Sequence, residues 1–144
     1  NVDHLREVGR RLRDEEVLYA IEWMWNDSIP ELVDELFNQN GPHGGPKETA
    51  MIMHIAEELV RADRLDDAKK DGWTDFSLDG ASKHGSATFY DAIDNSENGV
   101  FGDQTDATAE KGEQMFEAAT EQLVNLCEWL DAQEFEDLMP KEHV

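Results

Sequence analysis

The chain has 144 residues, 39% of them apolar, which suits one domain with a modest core. Its 34 acidic residues against 12 basic ones leave a net charge of −22, which repels nucleic-acid phosphates and anionic lipid surfaces. No run of about 18 apolar residues is present and no signal-peptide pattern opens the chain, so neither a membrane span nor a nucleic-acid partner is expected.

Residues 1–14 read as a helix, with Val2, Leu5, Val8 and Leu12 at helical spacing and Arg6, Arg10 and Arg13 on a polar side. Residues 17–25 form a short run rich in aromatic and β-branched side chains, which predicts a buried, parallel strand between helices. Asn26, Asp27 and Ser28 then offer a turn and a helix cap, with Pro30 near the first helical position of a short helix over 29–37. A second helix follows from about residue 46, with Ile52, Ile55, Ala56, Leu59 and Val60 as its expected inner stripe. Residues 61–71 are charged and read as solvated. Residues 72–92 are expected to be extended or irregular, with a strand over 87–93, and 95–102 read as a turn-rich loop. A long helix is expected over 105–131, its stripe made by Met115, Ala119, Leu123, Leu126 and Leu130, with Cys127 and Trp129 packed beside it. Capping oxygens for it come from Asp103, Thr105 and Asp106. The acidic tail from 132 onward is expected to fray.

The alternation of helices and strands is α/β organisation. A lone parallel strand is not a stable sheet, so further strands are expected upstream of Asn1. The single cysteine, Cys127, excludes an internal disulfide and fits a reducing, cytoplasmic interior. The acids are spread over every segment rather than gathered in a tail. That pattern leaves two readings: a surface that keeps the protein dissolved in a salt-rich cytoplasm, or a specific binder of a basic partner.

One stretch carries chemistry of its own. Residues 41–46 hold three glycines and two prolines around His43, which forbids helix and strand alike. Pro46 fits the first position of the next helix, and Glu48 sits in its first turn, where a helix N-terminus favours negative charge. Histidine titrates near pH 6.5, and glycines let a substrate approach closely, so His43 beside a fixed carboxylate suits acid–base work. The competing reading is a turn with an incidental surface histidine. His54, on the following helix, reads as a packed or partly exposed histidine.

Two motifs together resemble the creatininase (creatinine amidohydrolase) family. His43-Gly44-Gly45, two residues, then Glu48-Thr49-Ala50 is similar to the family's His-Gly/Ala-Gly, two residues, Glu-Thr-Ser segment. Gly99-Val100-Phe101-Gly102-Asp103, Thr105, then Ala107-Thr108-Ala109-Glu110-Lys111-Gly112 is similar to the family's Gly-Asp-Pro stretch and its Thr-rich helix start with Glu-Lys-Gly. The aromatic stretch ending in Trp25 looks like the family's Trp-bearing strand end. Pro42, Ala50 and Gln104 depart from the pattern, standing where the family has an acidic residue, Ser and Pro.

The resemblance implies part of a three-layer α/β/α sandwich with a largely parallel central sheet. Residues 1–144 would be the C-terminal part of a single creatininase-like domain whose N-terminal half is absent. It implies hydrolysis of C–N bonds in cyclic or formyl amides at a divalent-metal centre of zinc or manganese. The ligands would lie upstream, ending in an Asn-Gly-His-type motif whose asparagine Asn1 resembles. The residues agree, because His4, His43, His54, His84 and His143 are dispersed and no histidine or cysteine pair stands at metal-binding spacing. The resemblance makes His43 the catalytic proton carrier and Glu48 the carboxylate that orients it, with Trp25, Gly44 and Gly45 binding substrate. The expected partners are a small-molecule amide and further copies of the chain, as a homo-oligomer that the family often builds as a hexamer. Two alternatives stand beside this: a formylamino-pyrimidine deformylase of flavin or deazaflavin cofactor synthesis, and a non-catalytic remnant serving assembly or binding.

Overall fold

The computed structural model describes residues 2–15, 21–37, 43–68 and 98–138. Residues 72–92, with the strand expected over 87–93, lie outside the described residues. The helices are α1 (Val2–Asp14), α2 (Pro30–Leu36), α3 (Pro46–Ile55), α4 (Leu65–Ala68), α5 (Ala109–Asp131) and α6 (Phe135–Leu138). Single 3-10 turns stand at Asn26–Ser28, Glu57–Leu59, Ala62–Arg64 and Gln104–Asp106. The chain divides into two compact units, Asn1–Ser28 with Ala119–Val144, and Ile29–Ala118.

The α/β sandwich expected from the sequence is corrected here: the described residues contain helices and turns, with no strand or sheet among them. The physical reason is visible at the described end of the apolar run 17–25. A strand must pass its backbone polar groups to a neighbouring strand. Residues 21–24 have no such ladder, and the chain coils at Trp25 instead. The N–H groups of Asp27 and Ser28 both donate to the Met24 carbonyl, at 3.1 and 3.2 Å. The Ser28 hydroxyl donates to the Trp25 carbonyl at 2.6 Å. Ser28 is therefore spent on this turn, and α2 begins at Pro30 behind the N-cap residue Ile29, without any side-chain cap.

In the first unit α1 forms as its periodicity predicts. Arg11 Nε reaches Glu7 Oε1 one turn away at 3.0 Å, and Arg6 Nε lies 3.7 Å from Glu22 Oε2. Both pairs are exposed or nearly so, and such pairs are worth about 0–1 kcal/mol each. Leu5, Val8 and Leu12 remain exposed along the helix, and so do Cys127 and Trp129 on α5, which were expected to pack.

The second unit holds most of the buried apolar side chains. Ile29, Val33 and Phe37 recur at four-residue intervals and turn one face of α2 inward. Pro30 opens that helix at N1, where its missing N–H costs nothing. Phe101, Ala107 and Met115 complete the core with Pro46 and Ala50 of α3. The face of α3 is thus the reverse of the expected one. Pro46 and Ala50 point inward, while Ile52, Ile55 and Leu59 are 42%, 56% and 71% exposed.

α5 explains the reversal. Gly112 meets α3 so closely that a Cβ there would fall on the Ala50 carbonyl oxygen and lie 2.9 Å from the His54 Cβ. Two backbones approach like this only where both residues are small, so Ala50 and Gly112 fix which side of α3 is covered. One turn further along, the rings of His54 and Phe116 stack at 5.3 Å, tilted by 50°. The start of α5 is capped by Thr108, whose hydroxyl oxygen accepts from the Lys111 N–H at 3.2 Å.

Candidate active site

The His43 loop and the 98–106 segment are far apart in sequence and meet at the N-terminus of α3. The His43 carbonyl accepts from the Phe101 N–H at 2.8 Å. The Gly44 carbonyl accepts from Gln104 Nε2 at 3.0 Å. The Gly45 N–H donates to Glu48 Oε2 at 3.0 Å. Three consecutive residues thus have their backbones pinned, while the side chain of His43 stays exposed.

Gly44 is required by this arrangement on two counts. Its φ is +60°, in the left-handed region that glycine visits without penalty. A Cβ added to it would also lie 2.6 Å from Val100 Cγ1. Behind the loop, Gly45 and Pro46 are buried and open α3, and the Thr49 N–H returns to the Gly45 carbonyl at 3.0 Å. Glu48 therefore braces the loop that carries His43, through the backbone of Gly45.

The opposite wall is a compact turn. The Asp103 carboxylate accepts from the Thr105 N–H at 3.1 Å and from the Thr105 hydroxyl. Lys111 Nζ donates to the Asp106 carboxylate and to the Asp106 carbonyl, the latter at 2.8 Å. The same ammonium lies 4.7 Å from the centre of the Phe37 ring, so the cation is held between a carboxylate and an aromatic face. Lys111 thereby ties the end of α2, the 104–106 turn and the start of α5 together. The Glu110 carboxyl, on the first turn of α5, is held below the usual carboxylate range by its own backbone N–H and by the Thr108 hydroxyl.

Of the residues singled out in the sequence, His43, Gly44, Gly45 and Glu48 come together in one loop and helix start. Trp25 is half-buried in the other compact unit and is not part of that loop. The two motifs that carried the resemblance are joined in space by the hydrogen bonds above and by the Gly112–Ala50 contact.

A family model described as Creatininase, creatinine amidohydrolase, matches residues 1–127. The chain belongs to the creatininase family. No curated protein and no solved structure matches it. At the level of the family, this creatininase-family chain is a metal-dependent amidohydrolase.

The described residues do not fit that metal. Among them, no group of three or more His, Cys, Asp or Glu side chains is placed to hold an ion. No helix among them is long and apolar enough to cross a membrane. Sequence reasoning missed the roles of Gln104 and Lys111. Gln104 is 3% exposed, yet glutamine is usually a surface residue, so nothing local marks it as the interior partner of the loop. Lys111 was legible only as part of a motif, because its partners Asp106 and Phe37 sit on other elements.

Proposed function

We propose that this protein hydrolyses a C–N bond in a cyclic or formyl amide, with His43 as the group that carries the proton. The observation behind this reading is the loop itself, three successive backbones pinned and one imidazole exposed at its tip. In amide hydrolysis a water attacks the carbonyl carbon and must lose a proton. The departing nitrogen must gain one before the C–N bond breaks. A single imidazole accepts the first proton and delivers the second, ending as it began. A mobile histidine would spend most of its time out of reach, whereas one on a fixed backbone samples few orientations. Gly44 and Gly45 add no side chain between the ring and an approaching substrate. A zinc or manganese ion, held by ligands outside the described residues, would supply polarisation of the carbonyl and activation of the water.

We further propose that the protein works as a homo-oligomer in a salt-rich cytoplasm, on small neutral or cationic amides. The acidic surface supports the choice of neutral or cationic amides, since it disfavours phosphate-bearing ones. The test is a panel of creatinine and formylamino-pyrimidine amides on the full-length protein. His43→Ala is expected to lower kcat by about 10²–10⁴-fold with folding and metal content unchanged. Glu48→Gln keeps an acceptor for Gly45 and should give a smaller defect with a displaced pH optimum. Wild-type kcat in His43→Ala, with metal bound, sinks the assignment.

A further inference from the structure

We propose that Gln104 is a positioning residue for His43, setting where the imidazole stands through the Gly44 and Phe101 carbonyls. This rests on the reading of His43 as the proton carrier. Gln104 is 97% removed from solvent. Its Nε2 donates to the Gly44 carbonyl at 3.0 Å and to the Phe101 carbonyl at 3.3 Å. Facing two acceptors, that end of the side chain must be the nitrogen, since an oxygen there would meet two oxygens.

The bonds close a circuit. The Phe101 N–H holds the His43 carbonyl, the Phe101 carbonyl holds Gln104, and Gln104 holds the Gly44 carbonyl. Both hydrogens of one carboxamide are used, one for each of the two segments that must stay in register. The arrangement exacts a penalty, because Gln104 Oε1 is buried and has no hydrogen-bond partner among the described residues. An apolar residue of similar volume would remove that unsatisfied oxygen, but it would also take the donor away from the Gly44 and Phe101 carbonyls. A side chain that keeps an unsatisfied oxygen inside the protein is there for what its nitrogen does, and what the nitrogen does is hold the peptide that follows His43.

The test uses the full-length protein and whichever of creatinine or the formylamino-pyrimidine amides it hydrolyses. Gln104→Met keeps length and volume but donates nothing. It is expected to lower kcat by about ten- to a hundredfold, as small misplacements of a catalytic group do, with KM little changed. In a His43→Ala background the same substitution should cause no further loss, because the group it positions is gone. Gln104→Glu guards against misfolding of the methionine variant and adds a pH readout. Only its protonated carboxyl can donate, so its kcat relative to the wild type should fall as pH rises. If Gln104→Met keeps full kcat while His43→Ala loses it, Gln104 does not position the histidine, although the proton-carrier reading stands. Losses that multiply in the double variant mean that Gln104 acts through general stability, and the proposal fails. Full activity in His43→Ala removes the proton carrier, and the role of Gln104 falls with it.

Discussion

His43 is held by its main chain and exposed by its side chain, and the residue next to it makes that possible. Gly44 has a φ of +60° and no room for a Cβ beside Val100. Gly44→Ala therefore meets two penalties at once, left-handed backbone strain of about 1–2 kcal/mol and a contact that Val100 must yield to. The variant is expected to lose about 2–3 kcal/mol in a urea melt. It should also lose activity beyond that, because relief moves the Gly44 carbonyl off Gln104. A second test at this scale concerns Glu110, whose carboxyl is held below the ordinary range by backbone and Thr108 hydrogen bonds. A carboxyl whose folded value lies below its unfolded one adds stability above the unfolded value, and that stability fades as pH falls through the folded one. Carbon-detected titration of Glu110 should show its value rising towards the ordinary one in Thr108→Val. The same substitution removes the cap on Lys111 N–H and should lower stability by about 1 kcal/mol.

Between elements, the crossing of α3 and α5 decides how the site is backed. A methyl at Gly112 has no space, because the nearest atom is a backbone oxygen of Ala50 rather than the end of a flexible side chain. Gly112→Ala should gain the intrinsic helix preference of alanine, about 1 kcal/mol, and lose more through overpacking of about 1–3 kcal/mol or greater. The expected net result is a lower melting temperature together with lower activity, since α3 begins at the His43 loop. A stabilised variant, with activity intact, would show that the two helices are not in register as described. The same crossing shows what the sequence could and could not reveal. The helices at 2–14, 30–36, 46–55 and 109–131 were legible because their periodicity and prolines are local, whereas the expected caps did not hold: α2 has no side-chain cap, and Thr108 rather than Asp103, Thr105 or Asp106 caps α5. The inner face of α3 was not legible. Ile52, Ile55 and Leu59 make the stronger apolar stripe, but burial follows the small pair Ala50 and Gly112, which depends on a partner 62 residues away. At residues 21–25, the described end of the strand expected over 17–25, no strand forms for a related reason, while 17–20 lie outside the described residues. Aromatic and β-branched residues mark a chain that fits a sheet, and they do not supply the neighbouring strand. At the candidate site, the glycines and prolines made the His43 loop and the helix start with Glu48 legible, while Gln104 looked like a bare departure from a family proline.

For the molecule as a whole, charge sets the clearest expectation. With 34 carboxylates over 10919 Å² of surface, each has roughly 320 Å², a mean separation of about 18 Å. The screening length is about 30 Å at 0.01 M salt, about 10 Å at 0.1 M and about 3 Å at 1 M. Repulsion at the mean spacing is therefore strong in dilute buffer and largely gone by a few tenths molar. Carboxylates one helical turn apart, such as Glu113, Glu117 and Glu121 on α5, and ones adjacent in sequence, such as Glu57 and Glu58, stand closer than this mean and feel the last tenfold of salt. The protein should thus melt several degrees higher in 0.3 M KCl than in 0.01 M, at a gain of about 2–4 °C for each kcal/mol. Screening alone predicts a plateau beyond that point. A surface adapted to a salt-rich interior predicts a continued rise to 2 M and beyond, with KCl more effective than NaCl at equal strength if the carboxylates share hydrated cations. Thermal melts across that series separate the cases. A plateau near 0.3 M leaves simple repulsion as the whole effect and removes the support for a salt-rich cytoplasm. A fall in melting temperature with added salt would mean that ion pairs such as Lys111 with Asp106 matter more than the excess of acid, and that the surface charge is not what limits stability.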